Sequence, residues 1–152
     1  MDSSSHREVA VATYNRCWEL LELTRRTPDD DVELLTSAFV SRYHWMFVGG
    51  RVQTICADRM IPRSGAALGE GGLAASLALR ANTQAQAPDA DFWLVASTAE
   101  GLAGAYDAAR EPERRDEWYV TAQRLELAIA DVADRELIAA QLATVPRGSS
   151  ST

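Results

Sequence analysis

The sequence predicts an all-α fold of about seven helices, arranged as three stacked antiparallel hairpins with a C-terminal capping helix. Apolar residues recur at helical spacing throughout the 152-residue chain, and no stretch alternates as a β-strand would. Glycine pairs, prolines and capping residues divide this pattern into short segments. The first helices of successive pairs begin near residues 8, 51 and 92. That period of about forty residues is typical of stacked helical hairpins.

Start and stop signals place the individual helices. Helix one is predicted from His6 to Thr24. Thr27 and Pro28, followed by three aspartates, begin helix two, which ends near Phe47 before a glycine pair. The remaining helices are predicted over residues 51–68, 73–86, 91–109 and 112–130, with a seventh that begins at a cap on Asp131 or Asp134 and ends before Pro146. A single domain over residues 6–145 is therefore expected between a disordered head (1–5) and a disordered tail (146–152).

Composition excludes several classes of function. The net charge of −7 and the pI of about 4.8 argue against nucleic acid as a partner. All fifteen basic residues are arginine, which excludes lysine chemistry and leaves forked donors suited to carboxylates and phosphates. No stretch predicts a membrane span or a leader, so a cytoplasmic location is expected. Two cysteines and two histidines without ligand spacing predict neither a metal site nor a cofactor: Cys17, Cys56, His6 and His44.

A run of small residues carries a family resemblance. Leu68-Gly69, followed by Ala74, Ala78 and Ala81, resembles the second half of a tetratricopeptide repeat, in which small side chains let neighbouring helices pack closely. A looser copy of this layout follows, with Ala103, Ala105, Tyr106, Trp118 and Ala122. The segment from Tyr43 to Gly49 is similar to small bacterial tetratricopeptide-like proteins of unassigned function. The resemblance implies that the first helix of each pair lines a concave groove.

Helix three carries charges on the side predicted to face this groove. Its positions i, i+4, i+7, i+8 and i+11 hold Arg51, Ile55, Asp58, Arg59 and Pro62. Pro62 is expected to kink the helix and free the carbonyl of Asp58, either as part of the groove or only to shape the stack. The stripe expected to pack against the other helices comprises Ala57, Ile61, Gly65 and Leu68.

Helix five contains one isolated acid. Glu100 is the only charged residue between Phe92 and Tyr106, and it shares a helix side with Trp93. An unpaired buried carboxylate is costly. Glu100 is therefore interpreted either as half of a buried ion pair with Arg59 or Arg51, or as a ligand-facing acid or base with a raised pKa.

Helix two shows two apolar stripes, which predicts packing on two sides: Val32, Leu35, Phe39, Tyr43 and Met46 form one, and Leu34, Ala38 and Trp45 form the other. His44 lies on the polar side with Glu33, Ser37 and Ser41. It is expected either to cap the helix end or to reach the mouth of the groove beside Arg51. The other aromatic residues are assigned to packing: Tyr14, Trp18, Trp45, Trp118 and Tyr119.

Three functional hypotheses follow. The leading one is a small binding module whose groove holds a peptide, a protein segment or a small polar molecule through Arg51, Arg59, Trp93, Tyr43 and Arg63. The alternative is a cofactor-independent acid/base enzyme, an isomerase, cyclase or lyase, with Asp58, Glu100 and His44 in the same pocket. The third is a structural subunit that stacks on a partner or forms a homodimer through an end helix.

Overall fold

The computed structural model describes residues 2–87 and 90–146, and in these residues it contains seven α-helices and no strand. The prediction of an all-α, seven-helix protein is confirmed. The predicted tail lies outside the described residues from residue 147 onward. The helices are α1 (Ser3–Glu22), α2 (Pro28–Val48), α3 (Arg51–Ala67), α4 (Gly71–Ala85), α5 (Phe92–Ala108), α6 (Pro112–Glu126) and α7 (Val132–Leu142).

Side-chain caps explain where three of the helices begin. At α2, Asp30 N donates to Thr27 Oγ1 (3.2 Å) and Thr27 N donates to Asp30 Oδ2 (2.7 Å), which makes a reciprocal capping box. At α7, Asp134 N donates to Asp131 Oδ1 (3.0 Å), so Asp131 is the cap of the two that were expected. At α1, Asp2 accepts a bond from Ser5 N (2.8 Å). Residues 3–5 of the predicted head therefore belong to α1.

The helices form two layers. Each helix packs against its neighbours in the chain, and the odd-numbered helices also contact one another in succession: α1 with α3, α3 with α5, and α5 with α7. The even-numbered helices α2, α4 and α6 do not contact one another. Helices α1, α3, α5 and α7 thus form one layer, which we call the odd layer, and α2, α4 and α6 pack against one side of it. Helices α1 and α7, at the two ends of the odd layer, do not touch, which leaves a space between them.

Small residues bring the middle helices close together. Ala74 and Ala78 of α4 pack with Leu102, Ala105 and Tyr106 of α5 in one buried cluster. At the start of α4, a Cβ atom on Gly71 would lie 2.2 Å from the backbone nitrogen of Ala109. Only glycine fits at this crossing, so α4 is held directly against the end of α5.

Helix α2 corrects one sequence prediction, that both of its apolar stripes are buried. Leu34, Ala38 and Trp45 are buried, whereas the other stripe is largely exposed to solvent, with Val32, Phe39, Tyr43 and Met46 between 49% and 66% accessible. The supposedly polar side faces inward instead, because Ser37 and Ser41 are small enough for α1 and α2 to approach closely. Ser41 Oγ donates to the carbonyl of Ala10 at 2.9 Å, which satisfies its hydroxyl in the interface.

Candidate functional site

The space between α1 and α7 is a groove of about 860 Å³. Helices α3 and α5 form its floor, and α1 and α7 form its two walls. All of its lining residues lie on the four odd-numbered helices or just after α7. They are Tyr14, Trp18, Leu21, Glu22, Cys56, Arg59, Arg63, Ala66, Ala67, Trp93, Glu100, Gly101, Gly104, Asp107, Leu137, Ala140, Gln141, Thr144, Val145 and Pro146.

A cluster of buried charges lies at the floor of the groove. Glu100, only 2% exposed, forms a hydrogen-bonded ion pair with Nη2 of Arg63. Nη1 of Arg59 lies 3.8 Å from the same carboxylate oxygen. The side-chain oxygen of Gln141, on α7, accepts a hydrogen bond of 3.4 Å from each arginine. Two cations, one anion and one neutral amide thus meet where α3, α5 and α7 converge. We call these four residues the floor cluster.

Aromatic side chains of α1 cover the two arginines. The guanidinium carbon of Arg63 lies 5.3 Å from the ring centre of Trp18, and that of Arg59 lies 5.9 Å from it. These distances allow cation–π attraction, which is strongest when the cation is desolvated. Tyr14, one turn earlier on α1, contributes to raising the pKa of Arg59. Helix α1 therefore contributes to the stabilisation of the floor cluster as well as to the wall.

The surroundings shift the pKa values of the two arginines in opposite directions. Burial lowers the pKa of Arg63, and the Glu100 carboxylate offsets only part of this effect. Burial also works against the charge of Arg59, but Tyr14 and Glu100 together raise its pKa above the ordinary arginine value. Both side chains remain cations near neutral pH. Of the two, Arg63 makes the closer contact with the Glu100 carboxylate.

Four of the residues predicted for the site line the groove: Arg59, Arg63, Trp93 and Glu100. The expected ion pair between Arg59 and Glu100 is present, and Arg63 shares the same carboxylate. The two interpretations of Glu100 were a buried ion pair and a groove-facing acid. In the structure its carboxylate is paired and also borders the groove.

Asp58 does not belong to the groove. It forms an ion pair with Nε of Arg42, on α2, and is buried at that interface. The side of α3 that faces the groove carries Cys56, Arg59, Arg63, Ala66 and Ala67. At 100° per residue this side is rotated by about a quarter turn from the predicted one. Ile55 consequently packs against Ala85 and Leu94, and Pro62 is fully buried away from the groove.

The other predicted site residues lie elsewhere. His44 packs against His6, with ring centres 4.9 Å apart, and against Tyr43 at 5.5 Å. Tyr43 is 55% exposed on α2, and Arg51 is exposed at the start of α3. None of these lines the groove. The prediction that Asp58, Glu100 and His44 share one pocket is therefore wrong. The three side chains lie in three separate parts of the structure.

The sequence interpretation missed the contributions of α1 and α7. Tyr14 and Trp18 were assigned to packing, although their i, i+4 spacing places them on one helix side. Gln141 carried a usable signal, because it is the only polar residue between Leu137 and Ala143. An amide in an otherwise apolar stretch of a short helix requires a hydrogen-bonding partner when it is buried.

The remaining groups of the described chain add no metal site. Within residues 2–87 and 90–146, no three His, Cys, Asp or Glu side chains come together in an arrangement that could hold a metal ion. Each helix in these ranges is too short or too polar for a membrane span. Comparison of the chain with protein-family models, with curated proteins and with solved structures found no match.

Proposed function

We propose that this protein is a small helical binding module that holds a small polar molecule in the groove between α1 and α7. The observation that carries the proposal is the floor cluster. Arg59 and Glu100 are 6% and 2% exposed, yet both border an open groove. Burying a charged trio usually gives no more stability than an apolar core of the same volume. A recognition role for these charges accounts for their presence.

The size of the groove favours a small molecule over an extended peptide. Its volume of about 860 Å³ lies within the range of roughly 300–1,000 Å³ of small-molecule sites. Such sites are mostly apolar, with a few converging polar groups that fix orientation. Here too the lining surface is mostly apolar, and the floor cluster supplies converging polar groups. A groove on the inner helices also agrees with what the tetratricopeptide-like resemblance implies.

The acid/base enzyme receives no support from the geometry. It needs Asp58, Glu100 and His44 around one substrate. Arg42 engages Asp58 at the interface between α2 and α3, and His44 packs among aromatic rings near the start of α1. Glu100 alone remains in the groove, where two arginines already use its carboxylate.

A variant that fills the groove tests the proposal. Gly104 lies in the groove on the same side of α5 as Glu100, and a Cβ atom there meets only Val145, at 3.8 Å. Gly104→Phe should therefore block the groove and keep the fold. The matched control is Gly72→Phe, because Gly72 lies outside the groove lining and a Cβ atom there has nothing within 4 Å.

The assay is ligand-detected NMR with mixtures of small polar aromatic and aliphatic compounds, followed by titration of the hits. We expect hits that bind the parent and Gly72→Phe equally and that are lost with Gly104→Phe. Circular dichroism of both variants checks that the fold persists. The proposal fails if no compound binds, or if every hit binds Gly104→Phe as tightly as the parent.

A further inference from the structure

The floor cluster has an imbalance of charge. Arg59 and Arg63 face a single carboxylate, that of Glu100. The other acids that line the groove are Glu22, at the exposed end of α1, and Asp107, whose carboxylate binds Nη1 of Arg115 at 3.3 Å. Neither forms an ion pair with the two floor arginines among the described residues. One positive charge is left over in a largely desolvated position.

The amide oxygen of Gln141 lies between the two floor arginines. This oxygen lies 3.4 Å from Nη1 of Arg59 and 3.4 Å from Nη2 of Arg63. Such distances are longer than the usual 2.9–3.0 Å of a neutral N–H···O bond, and charge-assisted bonds are shorter still. The Nε atoms of both arginines are also buried without a hydrogen-bond partner in the described part of the chain. The neutral oxygen of Gln141 thus lies between the cations of Arg59 and Arg63 and makes only long hydrogen bonds with them.

The walls above this place are aromatic and aliphatic. Trp18 and Trp93 border the groove from α1 and α5, and Leu21, Leu137 and Val145 extend the apolar surface. A ligand that reaches the floor must therefore have an apolar body, and an aromatic ring fits beside the two indoles. The floor cluster carries one net positive charge, which the single negative charge of a carboxylate would neutralise. A phosphate monoester carries about two negative charges near pH 7, more than the floor cluster lacks.

We propose that the ligand is a small monocarboxylate with an aromatic body, whose carboxylate binds between Arg59 and Arg63 at the place of the Gln141 oxygen. This inference rests on the proposed function and specifies the class of ligand. Its aromatic ring lies between Trp18 and Trp93. The carboxylate neutralises the floor cluster and accepts charge-assisted hydrogen bonds that the amide oxygen makes poorly.

The first test uses the unmodified protein and pairs of probes that differ only in charge. Phenylacetate and indole-3-acetate are titrated beside their primary amides, with phenyl phosphate as a third type, by NMR or calorimetry. Each carboxylate should bind about tenfold more tightly than its amide, and phenyl phosphate should bind no more tightly than the carboxylates. Equal affinity of acids and amides, or tightest binding of the phosphate, would overturn the inference and leave the binding module standing. If neither acids nor amides bind, the inference fails, and the screen with Gly104→Phe and Gly72→Phe decides the proposed function separately.

The second test introduces a carboxylate beside the two arginines by mutation. Gln141→Glu places a carboxylate between the two arginines, so the melting temperature should rise and binding of the monocarboxylates should be lost. Gln123→Glu, on the exposed side of α6, is the matched control and should change neither. Introducing a buried charge into an already balanced site would instead lower the melting temperature. A lower melting temperature for Gln141→Glu would thus contradict the charge surplus on which the inference rests.

Discussion

Replacing Glu100 by glutamine should destabilise the protein more than the loss of any surface ion pair. Glu100→Gln keeps the size of the side chain and removes its charge, which leaves Arg59 and Arg63 buried without an anion. Removing one member of a buried ion pair costs about 3–5 kcal/mol. For a chain of this length, each kcal/mol lowers the melting temperature by about 2–4 °C. The expected fall is therefore about 6–20 °C.

The measurement is thermal unfolding by circular dichroism or calorimetry, with urea unfolding as an independent check. The matched control is Glu33→Gln, because Glu33 forms an exposed pair with Arg16, at 2.8 Å, and such pairs contribute about 0–1 kcal/mol. If Glu100→Gln unfolds within a degree or two of Glu33→Gln, the two arginines do not depend on Glu100. The floor cluster would then not be the buried, interacting unit that the structure describes.

A triple replacement separates stability from function. Changing Arg59 to Met, with Arg63 and Glu100 both to Leu, removes all three charges together and leaves no unpaired ion. Apolar replacement of a buried ion cluster is often neutral or stabilising by about 1–4 kcal/mol. A triple variant at least as stable as the parent would show that the fold does not require these charges. A triple variant as unstable as Glu100→Gln would show that the fold itself requires the charges of the floor cluster.

Two further predictions follow from the packing. Gly71→Ala should cost about 1–3 kcal/mol or more in urea unfolding, because its Cβ would lie 2.2 Å from the backbone of Ala109. Gly72→Ala, at the next position and in open space, should cost nothing, and equal effects at the two sites would refute the close crossing. Burial raises the pKa of Cys17 from its ordinary 9.0 to about 12. The unfolded chain loses that proton first, so stability should fall with rising pH between about 9 and 12. Cys17→Ala should flatten this fall, measured by urea unfolding across that range, and an unchanged slope would contradict the assignment.

The helices themselves were well predicted because their ends are determined locally. Thr27 and Asp30 form a capping box within four residues of sequence, and Gly49-Gly50 ends α2 where it was expected. The orientation of α2 was not predictable in this way. Two apolar stripes on one helix do not say which side meets a neighbour, and the small side chains of Ser37 and Ser41 decided it.

The site was predicted only in part for a related reason. Helical periodicity gives the relative positions of side chains around α3 and leaves the absolute rotation of the helix in the protein undetermined. Arg59 and Arg63 were recognised as binding residues, but Asp58, one position earlier, was placed on the same side. Gln141 meets Arg59 across 82 residues of sequence and Arg63 across 78. No local sequence pattern predicts such contacts, because they depend on where α7 packs against α5 in the folded protein.

The overall charge of the protein provides a way to locate the bound anion. The chain carries a net charge of −7, so it repels a carboxylate at long range. Salt screens this repulsion between exposed charges beyond about 8–10 Å, but it weakens a contact between buried groups much less. Binding of phenylacetate at the floor cluster should therefore become faster as ionic strength rises from about 0.01 to 0.15 M, with little change in its dissociation rate. Stopped-flow tryptophan fluorescence measures both rates, since Trp18 and Trp93 border the groove. An affinity that falls steeply with salt would instead place the carboxylate on exposed arginines, outside the groove.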